Sequence, residues 1–292
     1  MNSLFEKGIA VFSWTAMMTM VLGVFILLGF LFFKGGKTLG LHLIFGSVSP
    51  VDALLLREQV LDGLFPAIVG TFLLVFCSMT FAIPIGVAAG IYMAEYARGW
   101  SRRAMSLFFD ILAGIPSIVI GLAGLSLAII LHHHFSERFA PSLLISAIAL
   151  AILVLPYIIR TTQIALESID PVLRRTAPSL GASRLQNILR VLLPVSLPDI
   201  LGGIFLAIGR CAEDTAVIML TGAVVMAGIP RDMFSQYEAL PFFIYYISSQ
   251  YSSPEELQTG FGAAIILLFL CSFLLFAALW IQKRLVALLL YR

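Results

Sequence analysis

Charge is scarce in this chain: 12% of its 292 residues are Asp, Glu, Lys or Arg, about half the usual share in a soluble domain. Apolar residues make up 60% of it and the mean hydropathy is +1.03, which excludes a soluble monomer. Cysteine is nearly absent. Cys77, Cys211 and Cys271 stand singly inside apolar stretches, with no CxxC pair and no His or Cys partner at ligand spacing, so neither a disulfide framework nor a zinc site is expected. No GxxxxGK[ST] loop is present, so any nucleotide must be bound by another subunit, and no cofactor is expected on this chain. The net charge of +2 is too small to attract nucleic acid. His132, His133 and His134 are consecutive, so a regular helix cannot aim all three at one metal ion.

Long hydrophobic runs are abundant. A bilayer core about 30 Å thick needs roughly 20 helical residues, and five charge-free runs reach that length: Gly8 to Phe33, Gly63 to Ala94, Ile111 to Ser136, Phe139 to Ile159 and Leu257 to Gln282. A sixth stretch, Ile200 to Gly228, is interrupted only by Arg210, Glu213 and Asp214. The expected fold is all-α, with six transmembrane helices. Residues 1–62 are expected to form the first helix and an outer loop, and residues 63–292 the core. The first run exceeds the roughly 7–15 residues of a signal-peptide core and reads as a retained span.

The basic residues suggest the sidedness. With both termini in the cytoplasm, the inner side holds Lys7, Arg98, Arg102, Arg103, Arg160, Arg174, Arg175, Arg184, Arg190, Lys283, Arg284 and Arg292. The outer side holds Lys34, Lys37, Arg57, Arg138 and Arg231. Twelve against five agrees with the excess of Lys and Arg on cytoplasmic segments. Trp14, Trp100 and Trp280 are expected as interface anchors, and Arg98, Arg102 and Arg103 as topology determinants.

The inner loop 160–199 is amphipathic. Ile164, Leu166, Ile169, Leu173, Leu180, Leu185, Ile188, Leu189 and Leu192 recur mostly every three or four residues, which predicts helix. Asp170-Pro171 suits a helix start, and Gly181 lets two short helices meet at an angle. Such a loop either lies on lipid headgroups or docks a partner.

Gly181, nine further residues and Val191-Leu192-Leu193-Pro194 together resemble the EAA loop of ABC importer permeases, whose pattern is EAAxxxG, nine residues, then IxLP. Here Arg175-Thr176-Ala177 replaces the opening, so the family's Glu is an arginine. Ile85 to Ala97 (IGVAAGIYMAEYA), Leu112 to Leu122 (LAGIPSIVIGL) and Leu240 to Ile247 (LPFFIYYI) resemble the phosphate-specific, PstA-type branch. The resemblance implies the MetI-like permease fold in a bacterial inner membrane. It also implies a homologous PstC-type permease partner, two ABC ATPase subunits holding ATP and Mg, a periplasmic phosphate-binding protein and no enzymatic activity in this chain. It assigns ATPase coupling to Gly181, Ala182, Ser183, Arg184, Leu193 and Pro194.

Arg210, ten residues past Ile200, falls about 15 Å into the sixth stretch, near the bilayer midplane. Glu213 and Asp214 stand three and four residues later on the same helix face. An arginine at that depth is costly unless paired and rarely faces lipid. Its planar fork suits an oxyanion, with a carboxylate competing for it; the alternative is an ion pair that only fixes the bundle. Arg210-Cys211-Ala212-Glu213-Asp214-Thr215-Ala216 resembles the family's R-A-x-G-E-T-A segment, with Glu213 in place of a glycine. Two ionised carboxylates beside one arginine repel an anion. Either one is protonated, or Glu213 meets a cation on another subunit, or the cargo is not ordinary phosphate. Thr215, Pro116 and Ser117 join the expected pathway, with Pro116 expected to kink the third span and free a carbonyl.

The resulting expectation is a permease subunit importing inorganic phosphate. The alternatives are another oxyanion (phosphonate, sulfate or molybdate) or a non-transporting membrane sensor or scaffold.

Overall fold

The computed structural model describes residues 3–134 and 140–290. In chain order the helices are α1 (Ser3–Gly35), α2 (Leu41–Phe45), α3 (Pro50–Leu54), α4 (Phe65–Ile91), α5 (Gly99–Gly114), α6 (Ser117–His134), α7 (Leu143–Glu167), α8 (Pro171–Ser179), α9 (Arg184–Asn187), α10 (Leu193–Glu213), α11 (Ala216–Thr221), α12 (Leu240–Gln250) and α13 (Pro254–Leu290). π-helical turns at Tyr92–Tyr96 and Ile188–Leu192 extend α4 and precede α10. Among the described residues, six helical segments are long and apolar enough to cross a membrane. The only β pairing among the described residues is an isolated bridge between Ala223 and Tyr237.

α7 is the centre of the bundle, with α4, α6, α10 and α11 packed around it. Lipid tails are as apolar as leucine, so close packing rather than water exclusion must join these helices. The α4–α7 seam shows how. A Cβ added at Gly86 would lie 2.7 Å from Ile158 Cγ2, and one at Gly90 2.5 Å from Thr162 Cβ. Buried hydroxyls bond to the backbone of their own helix: Thr71 donates to the Ala67 carbonyl and Ser78 to that of Leu74. In contrast, α1 packs on α13 near its C-terminal end, through edge-on Phe30–Phe261 and Phe32–Phe269 pairs.

Two expected spans are interrupted. The third is two helices rather than one kinked helix. Proline disfavours the α conformation in the residue before it, and Ile115 is extended (φ −70°, ψ 128°), so α5 ends and α6 restarts at Ser117. The sixth stretch is not a helix to Gly228. It is helical from Arg184, stops at Glu213 and resumes as the six-residue α11. The expected ends at Ser136 and Phe139, like Arg138 and Arg292, lie outside the described residues, and the fourth span runs as α7 to Glu167.

The two interruptions lie at one depth. Gly203 of α10 abuts Thr161 of α7, and seven residues of helix carry α10 about 10 Å onward, placing Arg210 level with roughly residue 154. Gly124 of α6 abuts Ala149 of α7 and Thr221 of α11, so the start of α6 is level with roughly residue 156 by the same count. Both levels are halfway along α7.

Candidate functional site

Asp214 makes the second interruption possible. It is extended (φ −72°, ψ 121°), and its Oδ1 accepts the backbone N–H of Val217 at 2.9 Å, satisfying a donor at the start of α11 that an apolar bundle would otherwise leave orphaned. Its side chain is buried. Arg210, one turn back, points its guanidinium between two carboxylates: Nη1 is 3.4 Å from Glu213 Oε1 and Nη2 3.8 Å from Asp214 Oδ2. Both separations exceed the roughly 2.7–2.9 Å of a strong charge-assisted bond, and the buried Arg210 Nε–H has no hydrogen-bond partner among the described residues. The Arg210 side chain is 41% exposed and that of Glu213 62%. Donor capacity is therefore left over on an arginine at mid-depth.

Thr215 is half-buried at the junction itself. A Cβ at Gly121 would lie 3.0 Å from the Ala216 carbonyl, which brings the first turns of α6 beside the start of α11. Ser117 is half-buried there and Pro116 exposed. The structure thus gathers Arg210, Glu213, Asp214 and Thr215 at one break and sets Pro116 and Ser117 at the neighbouring one. No side-chain hydrogen bond joins the two groups among the described residues.

A second polar cluster escaped sequence reasoning. Between α5 and α7, Arg102, Arg103, Ser106, Asp110, Arg160 and Gln163 line a cavity of about 590 Å³. Arg160 Nη2 donates to Asp110 Oδ1 at 2.5 Å and to Ser106 Oγ at 2.7 Å, while Arg102 bridges to Glu167 at 2.6 Å. The partners lie 50 or more residues apart in sequence. The one available signal was Asp110 and Arg160 bordering charge-free runs.

The loop 160–199 is helical, as its periodicity predicts. Asp170 caps α8, accepting Val172 N–H at 2.6 Å. Gly181 has φ +88°, a left-handed conformation glycine adopts without the Cβ penalty, and Ser183 and Gln186 form a reciprocal capping box at the start of α9. Leu166, Ile169, Ile188 and Leu192 are buried together against Ile91 and Ala94. Leu180, Leu185 and Leu189 are exposed, so the loop has an inner and an outer apolar face. The coupling residues separate accordingly: Gly181, Ser183 and Arg184 are exposed at the tip with Ala182 half-buried beside them, while Leu193 and Pro194 are half-buried at the base of α10.

An apolar bundle with six helices able to cross a membrane and a charged cluster at the break between α10 and α11 is the architecture of a multi-pass membrane permease. The chain belongs to the family of binding-protein-dependent transport system inner membrane components, whose model matches residues 86–287. It is 36% identical over 225 residues to the phosphate transport system permease protein PstA of Haemophilus influenzae, covering 76% of this chain and 77% of the relative. It is 33% identical over 263 residues to the PstA of Yersinia pestis, covering 89% and 84%. The fold matches a chain of the MetNI methionine ABC transporter with a TM-score of 0.59 at 20% identity, over 82% of this chain and 99% of that one.

Proposed function

We propose that this chain is the permease subunit of an ATP-driven importer that carries inorganic phosphate into the cytoplasm, and that Arg210 is the transient anion site. One observation carries the reading: a half-exposed guanidinium with unspent donors at mid-depth, where two spans are broken. Broken helices in membranes occur where the backbone lines a cavity or is buried in protein. The Haemophilus influenzae and Yersinia pestis relatives are named as phosphate transport system permeases. Asp214 is committed to the α11 cap, which leaves exposed Glu213 as the competitor that keeps the anion from being trapped. Thr215, Ser117 and Pro116 complete the lining, and the basic α5–α7 cavity is the way out.

In this reading both termini are cytoplasmic and the loop tip Gly181 to Arg184 docks a cytoplasmic ATPase, with Leu193 and Pro194 bracing its base. Two ATPase subunits hold ATP and Mg, a homologous PstC-type permease supplies the other half of the pathway, and a periplasmic phosphate-binding protein delivers the cargo. Nucleotide and phosphate must each prefer one of two bundle states, since a ligand with equal affinity for both shifts neither.

The test is uptake of radiolabelled phosphate by vesicles holding the assembled complex, with and without ATP, against sulfate and phosphonate competitors. Phosphate-specific, ATP-dependent uptake is expected, falling at least ~30-fold in Arg210→Ala because a charged partner is lost in a low-dielectric site. Undiminished uptake by the variant leaves Arg210 an ion pair only. Preference for a competitor moves the cargo to another oxyanion.

A further inference from the structure

We propose that Glu95 and Arg174 form a latch through which α4 acts as a lever, joining the 160–199 loop to the connection between α11 and α12 at the opposite end of the bundle. This rests on the reading that the loop docks an ATPase.

Glu95 lies in the π-turn that ends α4, and its carboxylate accepts from Arg174 Nη1 of α8 at 2.5 Å. The Glu95 side chain is 8% exposed and that of Arg174 28%. Breaking such a pair leaves a charge without its partner, far costlier than losing a surface salt bridge. Arg174 is also tied on its other sides. Its second nitrogen donates to the Leu166 carbonyl in the last turn of α7, and its own carbonyl accepts from buried Asn187 Nδ2 at 3.0 Å. One residue before α4 gives way to the next segment, Tyr96 carries the Arg184 guanidinium 4.4 Å over its ring. Both short helices of the loop are thus fastened to the end of α4.

The other end of α4 meets the α11–α12 connection. Leu240 N–H donates to buried Thr71 Oγ1 at 2.9 Å, and Gly70 lets the Glu238 carbonyl approach the helix so closely that a Cβ would overlap it. Between Thr71 and Glu95 the helix runs on through Pro84 and into the π-helical turn without an extended residue, a span of about 36 Å. On the pathway the chain direction breaks twice, between α5 and α6 at Ile115–Pro116 and between α10 and α11 at Asp214–Thr215. A push on the loop dissipates at those interruptions but travels the length of α4. The loop and the far connection therefore move together, and Glu95 is a positioning residue that transmits the movement without touching the cargo.

The test uses the full complex in vesicles, in a chain lacking the three native cysteines and carrying Met226→Cys on the exposed far connection. Two quantities are read: phosphate taken up per ATP hydrolysed, and the change in thiol modification rate at position 226 between the nucleotide-free and ATP-vanadate-trapped states. With Glu95 intact, trapping changes the rate. In Glu95→Gln the change is expected to disappear and phosphate per ATP to fall about fivefold, the low end of usual coupling energies. Glu95→Asp, which keeps the charge on a shorter arm, restores part of both. If Glu95→Gln does not assemble, Arg174→Lys supplies the same comparison, since its single ammonium cannot hold both acceptors.

A thiol response unaltered by these variants overturns the latch, and so does a thiol that ignores trapping with Glu95 intact. If the thiol responds while phosphate is not taken up, the cargo assignment fails and the latch is still judged by the thiol.

Discussion

Arg210 keeps unspent donors because neither neighbouring carboxylate closes on it, and its two neighbours differ in what they do. Asp214 is buried and holds the first turn of α11, whereas Glu213 is exposed and free to yield its place. Glu213→Gln removes a competing charge while leaving the helix break intact. Uptake kinetics should show KM for phosphate lowered about fivefold, near 1 kcal/mol for one partly screened charge, with turnover also reduced because release slows. An unchanged KM removes the competitor role. Glu238, in the α11–α12 connection outside the spans, shows the opposite balance. Gly228 N–H donates to its Oε1 at 2.8 Å, yet burial dominates and pushes its pKa up to about 7. The folded chain then binds more protons than the unfolded one between about pH 4.5 and 7, so the Glu238 contribution is complete below that window and is lost as pH rises through it. Thermal midpoints in detergent should show Glu238→Gln gaining on the wild type between pH 5 and 8.5, by on the order of 1–3 kcal/mol. A constant difference across that range contradicts the assignment.

The elements were legible where the signal is local. Five charge-free runs of bilayer length and a sixth interrupted by three charges mark six spans, and the Asp170-Pro171 start and the Gly181 turn are visible because capping and left-handed backbone have residue preferences. The interruptions were not. Hydropathy is blind to backbone direction, so a proline at 116 reads equally as a kink or a stop, and only the extended Ile115 decides it. Asp214 reads as an ion-pair partner of Arg210, and it stands 3.8 Å from it, but sequence does not show that its other oxygen reaches the Val217 N–H. The Arg160 cluster draws on α5 and α7, whose alignment is tertiary. The α4–α7 seam makes a prediction of its own kind. Gly90→Ala places a Cβ 2.5 Å from Thr162 Cβ and 2.9 Å from the Ile159 carbonyl, and backbone cannot yield as a side-chain tip can. Overpacking should cost about 1–3 kcal/mol, read as a lowered thermal midpoint in detergent, whereas Gly209→Ala, which meets no atom within 4 Å, should leave it nearly unchanged.

Across the whole molecule, the parts fall into a permanent frame and a movable path. α4 and α7 pack tightly along one seam, and the charged side chains Arg210, Glu213 and Asp214 gather where α10 gives way to α11. An arginine with spare donors is useful there only if it faces one compartment at a time. Position 209 lies four residues before Glu213 on the same helix face and has open space at its Cβ. The most direct measurement is the reactivity of Gly209→Cys, in a chain without native cysteines, toward a membrane-impermeant maleimide applied to each side of the assembled complex. The account predicts labelling from the cytoplasmic side without nucleotide and from the opposite side when ATP is trapped. Labelling from one side in both states would contradict it.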